Sequence, residues 1–255
     1  MPSKTGWTRN QLLVAFNLYC QMPFGKMHHR NPDIVACAKR IGRTPSALAM
    51  KLSNIASLDP AITSTGRIGL PGASAADRAL WNEMSSNWEE FALNARQAEF
   101  EFGISDDAEK EIGTDSSDYT GEEKLVQTKR RIGQNFFRRS VLSAYGYRCC
   151  ITGLSLPKLL VASHIVPWRS NQENRLNPKN GLCLSMLHDK AFDLGMITIA
   201  EDMTVRVSED VVQSKDDFFM SSVLAYQGKS ILLPEKFSPG EGFLAYHRET
   251  IFENT

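Results

Sequence analysis

Two histidines and an asparagine stand in order between residues 162 and 195 of a chain that has only five histidines. His164 ends an apolar run, Asn180 precedes a glycine after a polar loop, and His188 opens a segment with helical spacing. Phosphodiester hydrolysis needs a base that deprotonates water and a cation that stabilises the leaving oxygen. One histidine can be that base and another can bind the metal. Each histidine alone also fits a structural role, His164 in the core and His188 at the surface.

The segments around these residues predict a strand, a loop, a second strand and a helix. Residues 159–165 and 181–185 have the composition of strands, and residues 187–193 that of a short helix. In such a scaffold a histidine at the end of the first strand can face a histidine on the helix. The asparagine amide could bond the backbone across the loop and hold the first histidine. A hairpin at 197–208 and a last helix at 242–252 follow.

The order of short motifs in this region resembles the HNH nuclease family, the ββα-metal group, in its restriction-type branch. The resemblance covers about residues 130 to 252, including a closing Tyr246-His247-Arg248. The motifs are Ile151-Thr152-Gly153, Ser163-His164-Ile165, Pro167-Trp168, Asn180-Gly181-Leu182, His188 and Phe192-Asp193-Leu194-Gly195.

The resemblance implies a catalytic role for each of the two histidines and for the asparagine. His164 would be the general base, Asn180 the residue that orients the loop, and His188 the metal ligand on the helix. It also implies one divalent metal ion, Mg²⁺ in the first place, with Mn²⁺ or Ni²⁺ as substitutes.

The second metal ligand departs from the family pattern. Many relatives carry Asp or His where Ser163 stands, and a serine hydroxyl is a poor ligand for Mg²⁺. Either Ser163 binds through water or a carboxylate such as Asp193 replaces it. Asp193 lies about 140° round an ideal helix from His188. It can therefore contribute only if the helix ends near Phe192, and helix capping at Gly195 is its alternative role.

The cysteines do not have the spacing of a structural zinc site. Some relatives hold zinc with two Cys-x-x-Cys pairs, whereas here Cys149 and Cys150 are adjacent and Cys183 is isolated. We expect no structural zinc, and buried or half-buried thiols instead. Without a secretory segment or an apolar run near the roughly 18 residues of a membrane span, the five cysteines predict a reduced, cytoplasmic, non-membrane protein.

Basic residues near the motif are candidate contacts with duplex DNA. Arg169 and Arg175 lie in the loop between the motif strands, where guanidinium groups suit phosphate oxygens, although they could simply keep the loop soluble. From Lys124 to Arg148 there are seven Lys or Arg and no acid, which is equally compatible with a solvated helix face. The candidates in that run are Arg130, Arg131, Arg138 and Arg139.

An acidic segment precedes the basic run. Eight of the 21 residues from 103 to 123 are acidic, which predicts a weakly ordered linker. It would join a helical domain at 1–102 to a nuclease domain at 124–255. The net charge of zero, from 29 basic and 29 acidic residues, thus results from opposite segments.

Residues 5–100 are predicted to be helical. Helix starts are indicated by Thr8 with Gln11, by Asn31-Pro32 and by Thr44-Pro45, and a further helical piece covers about 75–98.

The second and third starts have helix-turn-helix spacing. Ala38, Gly42 and Leu48 follow that pattern, although many helical hairpins that do not bind DNA share it. Basic residues favour DNA, and the candidates are Lys39, Arg43 and Lys51.

Together these features predict an α+β protein with a helix-turn-helix-like domain, an acidic linker and a ββα-metal nuclease domain. The predicted activity is metal-dependent cleavage of DNA, with a restriction or phage-defence role implied by the resemblance alone. A homodimer is plausible because one centre cuts one strand. Two alternatives stay open: a non-catalytic DNA-binding regulator with a degenerate nuclease domain, which Ser163 supports, and a nuclease directed at RNA.

Overall fold

A computed structural model describes residues 6–64, 66, 72–104, 121–213 and 215–252, without the side chains of 121–125 and 210. The chain forms two compact units, Met1–Phe136 and Phe137–Thr255. Most of the predicted linker at 103–123 lies outside the described residues. Within the described residues, no helix is both long and apolar enough to cross a membrane.

The first unit is helical. Its described helices are α1 (Arg9–Gln21), α2 (Pro32–Arg40), α3 (Pro45–Ala56), α4 (Pro60–Thr63), α5 (Ala75–Ser86) and α6 (Trp88–Glu101), followed by α7 (Gly121–Ala144), which continues into the second unit. The predicted starts are confirmed: Thr8 and Gln11 form a capping box, and Asn31 and Thr44 cap α2 and α3 with their side chains. Gly42, with φ at 68°, makes the turn between α2 and α3.

The piece predicted at 75–98 is broken into two helices. Asn87, with φ at −149°, leaves the helical region, and its side chain accepts a hydrogen bond from the Glu90 N–H at 3.0 Å. The apolar spacing continues across this position, so periodicity alone does not reveal the break. The capping preference of asparagine is the signal that accounts for it.

The second unit contains a small scaffold of two strands and a helix. β1 (Leu160–His164) pairs antiparallel with β2 (Gly181–Ser185), so that His164 faces Gly181, and α8 (Met186–Asp193) follows β2 directly. The hairpin β3 (Ile197–Ile199) and β4 (Val205–Val207) comes next, as predicted. The remaining helices are α9 (Glu209–Val212), α10 (Asp217–Ser222) and α11 (Glu241–Thr250).

The C-terminal part of α7 packs against this scaffold at Gly181. A Cβ atom on Gly181 would clash with Val141 Cγ2 and lie 3.0 Å from Phe137 Cζ. The glycine after Asn180 therefore lets the helix approach β2 closely, beside the end of β1.

Candidate active site

His164 is held at the end of β1 by aromatic rings and one backbone carbonyl. Its ring stacks on Phe137, with centroids 4.0 Å apart and planes 9° apart, and meets the edge of Trp168 at 5.5 Å. Its Nε2 lies 2.9 Å from the carbonyl oxygen of Arg175. Since a carbonyl can only accept, Nε2 carries the proton and Nδ1 keeps the lone pair.

The surroundings of His164 favour the neutral ring. Burial lowers the pKa of His164, and the Arg175 carbonyl and the Asp189 carboxylate oppose that effect. A neutral imidazole with a free Nδ1 lone pair can accept a proton from water near pH 7.

Asn180 fastens the loop that follows His164. Its side chain is fully buried, Oδ1 accepts from the Val166 N–H at 2.8 Å, and Nδ2 donates to the Val166 carbonyl at 3.1 Å. Nδ2 also lies 3.3 Å from the carbonyl oxygen of Asn174. One amide thus fixes both the start and the return of the loop.

His188 lies in the interior instead of facing His164. Its side chain is 2% exposed, Nδ1 is 2.9 Å from the Ser185 hydroxyl, and the ring meets the edge of Tyr226 at 5.6 Å. Burial lowers the pKa of His188; the Ser222 carbonyl opposes this, although Nε2 has no partner in hydrogen-bonding geometry. Among the described contacts, none joins His188 to His164.

Asp189, the next residue on α8, is a candidate site residue that the sequence motifs do not indicate. Burial raises the pKa of the Asp189 carboxyl, and Ser163, His164 and Lys190 lower it, so this carboxylate interacts with the end of β1. The sequence signal that points to Asp189 is its spacing from Asp193. Residues four apart lie only about 40° apart on an ideal helix, so the two carboxylates share one face of α8.

Asp193 shares this site with Asp189. Helix α8 extends through Asp193, and the pKa of the Asp193 carboxyl is raised by burial and by the neighbouring Asp189 charge. Two carboxylates one turn apart and of like charge repel each other, which favours a cation between them.

Ser163 lies beside this pair. Its side chain is buried and its hydroxyl meets no partner in hydrogen-bonding geometry, yet it lies close enough to Asp189 to lower the pKa of that carboxyl. An unpartnered buried hydroxyl next to a carboxylate suits a site that an added ion or water completes.

The donor set fits a hard divalent ion. The described ranges contain no cluster of three or more His, Cys, Asp or Glu side chains that could hold a metal. Mg²⁺, however, commonly binds through only one or two carboxylates, with waters and substrate phosphates as the other ligands. Asp189 and Asp193 meet that requirement.

The predicted phosphate contacts of the second unit differ in their surroundings. Arg169 is exposed, and Arg175 donates from Nε to the Trp168 carbonyl at 2.9 Å while its guanidinium lies 5.2 Å from the Trp168 ring centroid. Arg138 donates to the carbonyl of Leu160 at 2.9 Å. Arg139 is half-buried.

The basic residues of the first unit also differ. Lys39 is exposed, as are Arg130 and Arg131 on α7. Arg43 donates to the Gly6 carbonyl at 2.6 Å, and its guanidinium lies over a tryptophan ring.

Lys51 is buried in an ion pair with Asp77. Its side chain is 8% exposed, and Nζ lies 2.9 Å from each carboxylate oxygen of the fully buried Asp77. Lys51 therefore stabilises the fold of the first unit through this ion pair, and its contact with phosphate stays a prediction.

The predicted thiols are all free, and they are buried or half-buried. Cys20, Cys149, Cys150 and Cys183 are buried and Cys37 is half-buried. Burial raises the pKa of Cys183 to about 12, so this thiol stays protonated at neutral pH.

Residues 149–200 match a family model described as HNH endonuclease. The matched segment contains both strands of the scaffold, α8 and β3, and with them His164, Asn180 and Asp189. This part of the chain is an HNH endonuclease domain within an α+β fold, preceded by a helical region. Among curated proteins, none matches the chain.

Proposed function

We propose that this protein is a metal-dependent DNA endonuclease in which His164 is the general base. The observation that carries the proposal is the 2.9 Å contact between His164 Nε2 and the Arg175 carbonyl oxygen, which makes Nε2 the donor and leaves Nδ1 able to accept a proton. The HNH endonuclease match of residues 149–200 supports nuclease activity in general.

In the proposed reaction, His164 Nδ1 takes a proton from the water that attacks the phosphorus. The positive imidazolium that forms is stabilised by its Nε2–H bond to the Arg175 carbonyl, which raises the pKa of His164. Phe137 and Trp168 restrict the ring to one orientation. The site therefore provides both a base and a fixed approach for the water.

Asp189 and Asp193 would hold the divalent ion, and we propose them in place of His188. A bound Mg²⁺ or Mn²⁺ would supply positive charge beside the leaving 3′ oxygen. His188 instead supports the start of α8 through Ser185, and so fixes where the two carboxylates lie.

We propose duplex DNA as the substrate, contacted by exposed basic residues. Lys39, Arg130, Arg131 and Arg169 are exposed, and Arg175 lies next to His164 with its Nη atoms outside the described hydrogen bonds. A restriction or phage-defence role and cleavage by a homodimer extend this proposal, on the basis of the family resemblance.

The experiment is plasmid cleavage by the full chain with Mg²⁺ and with EDTA. We expect nicking with Mg²⁺, none with EDTA, and a loss of about 10²–10⁴ in rate for His164→Ala, the usual cost of removing a general base. His29→Ala, which changes an exposed histidine of the first unit, is the matched control. Binding without any cleavage would favour the regulator, and preferential cleavage of RNA would favour the RNA nuclease.

A further inference from the structure

A cavity of about 390 Å³ opens beside the loop that follows His164, between that loop and the start of α11. Val166 and Asn171 line it from the loop, and Phe243 and Tyr246 line it from α11. The volume lies within the usual range for small-molecule sites, about 300–1,000 Å³. None of its lining residues, all within the described ranges, is charged.

Both walls of this cavity are fastened to the same short segment of the active site. The Asn180 side chain accepts a hydrogen bond from the Val166 N–H and donates one to the Val166 carbonyl. On the other wall, the Gly240 N–H donates to the Lys179 carbonyl at 2.9 Å. The position of the cavity is therefore fixed relative to the strand pair that ends in His164.

The lining has the chemistry of a nucleobase site. Phe243 and Tyr246 are half-exposed rings whose faces can stack on a flat heterocycle. Asn171 Oδ1 accepts from the Asn174 N–H at 3.1 Å and lies 3.2 Å from Asn174 Nδ2, which leaves the Asn171 amide N–H groups as donors for a base edge. A phosphate would need cationic partners, which the lining lacks.

We propose that this cavity binds one unstacked nucleobase of the DNA strand next to the cleaved phosphate. The inference rests on the proposed nuclease function and adds a substrate preference to it. Taking a base out of the stack costs a few kcal/mol and is easiest where the base is mismatched, damaged or single-stranded. Cleavage should therefore favour sites where a base near the cut is easily unstacked.

The first test measures binding in EDTA and does not need catalysis. Fluorescence anisotropy compares a labelled oligothymidylate with an abasic tetrahydrofuran oligomer of equal length, which keeps the phosphates and lacks the bases. Wild type should prefer the oligomer with bases by about fivefold or more, the size of one base–aromatic stack. Equal binding of both oligomers by wild type would overturn the proposal.

Variants of the two rings decide whether the preference comes from this cavity. Phe243→Leu and Tyr246→Leu should each reduce the preference, whereas Tyr246→Phe, which keeps the ring, should retain it. Phe218→Leu changes an aromatic residue of α10 that is 66% exposed and does not line the cavity, so it is the matched control. Melting curves show whether each variant folds; a folded leucine variant with an unchanged preference would refute the site.

The second test uses cleavage. Single abasic sites placed in turn around the mapped cut should reveal one position where wild type loses about fivefold or more in kcat/KM, again the size of one base–aromatic stack. At that position Tyr246→Leu should lose nothing further, because the stack is already absent. If the loss in kcat/KM from the abasic site and the loss from Tyr246→Leu multiplied, the proposal would be contradicted. If wild type cleaves no DNA, the nuclease function fails, and the anisotropy test still decides whether the cavity binds a base.

Discussion

Asp189 and His188 are neighbours in the sequence, yet their side chains have opposite environments. His188 is enclosed between Ser185 and Tyr226, whereas Asp189 interacts with Ser163 and His164. Successive side chains of a helix differ by about 100° in direction. A difference of one position in the sequence therefore determines which side chain faces β1. In the proposed metal site, a pair of carboxylates accordingly takes the place of an imidazole ligand.

Asp189→Asn should therefore weaken metal binding, and His188→Gln should not. We expect the Mn²⁺ affinity of Asp189→Asn to fall by about 10–100-fold or more in calorimetry, since even indirect partners of a metal have that effect. His188→Gln should keep Mn²⁺ affinity but lower the melting temperature, because a buried polar contact typically contributes about 1–3 kcal/mol.

Asp217→Asn, an exposed carboxylate of α10, is the matched control for the loss of charge. Should His188→Gln lose Mn²⁺ affinity at an unchanged melting temperature, the metal would be bound by the histidine, as the family resemblance implies.

The sequence predicts the strand ends and the helix, but not which side chains face the site. Strand alternation and the Asn-Gly step are local signals, and they place His164 and Asn180 correctly on β1 and before β2. The rotation of α8 about its own axis depends on which of its side chains pack into the interior. His188 is one of these side chains, because it is buried beside Tyr226. Such packing involves residues far apart in sequence and leaves no local pattern.

At the scale of elements, the contact of α7 with β2 connects the fold to His164, the proposed general base. Phe137 touches both Gly181 and the ring of His164, so the approach of the helix sets where that ring lies. The helical period of this segment predicts that Phe137 points inward, but it does not identify the partner of that ring.

Gly181→Ala should both destabilise the second unit and reduce cleavage. The added methyl group would clash with Val141 and press on Phe137, and overpacking of a core typically costs about 1–3 kcal/mol. We expect a lower melting temperature and a reduced cleavage rate even where the protein stays folded, because the stack on His164 is displaced. The measurements are calorimetry and single-turnover cleavage.

Gly25→Ala is the control, because a Cβ atom there would meet nothing within 4 Å. If Gly181→Ala were as stable and as active as Gly25→Ala, the close packing of α7 on β2 would not be needed for the site.

Helix α11 is tied to α8 and β3 through His247. Its Nε2 donates to the Phe192 carbonyl at 3.1 Å, Nδ1 accepts from the Thr198 hydroxyl at 2.8 Å, and its ring stacks on Phe192 at 3.6 Å. Burial lowers the pKa of His247 to about 4; the Phe192 carbonyl opposes this shift and the Arg248 charge adds to it. The ring is therefore neutral in the folded protein at neutral pH.

Acid should destabilise the second unit through His247. The unfolded chain binds a proton below about pH 6.5, whereas the folded chain does so only near pH 4. The stability contributed by the neutral ring is therefore complete above pH 6.5 and is lost as the pH falls towards 4. The difference between the pKa of His247 in the unfolded chain and in the folded chain corresponds to about 3 kcal/mol of stability, at 1.36 kcal/mol per pKa unit.

Calorimetry at several pH values, with hydrogen exchange of α11, measures this loss. His247→Gln should be less stable than wild type at pH 7.5 but should lose less stability between pH 6.5 and 4. His28→Gln, an exposed histidine of the first unit, should follow wild type. An equally steep loss in His247→Gln would assign the acid sensitivity to other groups.

At the scale of the whole molecule, charge is distributed so that the basic run of α7 crosses the boundary between the two units. Arg130 and Arg131 lie before Phe136 and are exposed, whereas Arg138 follows Phe137 and bonds the carbonyls of Leu160 and Pro157. The sequence shows the run but does not separate these roles, because one helix face can hold both solvated and bonded arginines.

Substitution of the two kinds of arginine should therefore give different results. Arg130→Ala with Arg131→Ala should flatten the salt dependence of duplex DNA binding, by about 0.9 in the log–log slope for each phosphate that is no longer neutralised, with an unchanged melting temperature. Arg138→Ala should lower the melting temperature, since it removes a bond that supports the start of β1. Its salt slope should change less.

Anisotropy titrations across a range of salt concentrations measure the slope, and Arg78→Ala, an exposed arginine of α5, shows the effect of losing one positive charge elsewhere. If the Arg130 and Arg131 double variant had the same slope as Arg78→Ala, these side chains would not contact phosphate. The DNA would then be bound through other groups, and Arg169, which is exposed in the loop after β1, would be the next to test. Because the slope counts released counterions, it separates a phosphate contact from a structural arginine even when both variants bind DNA more weakly.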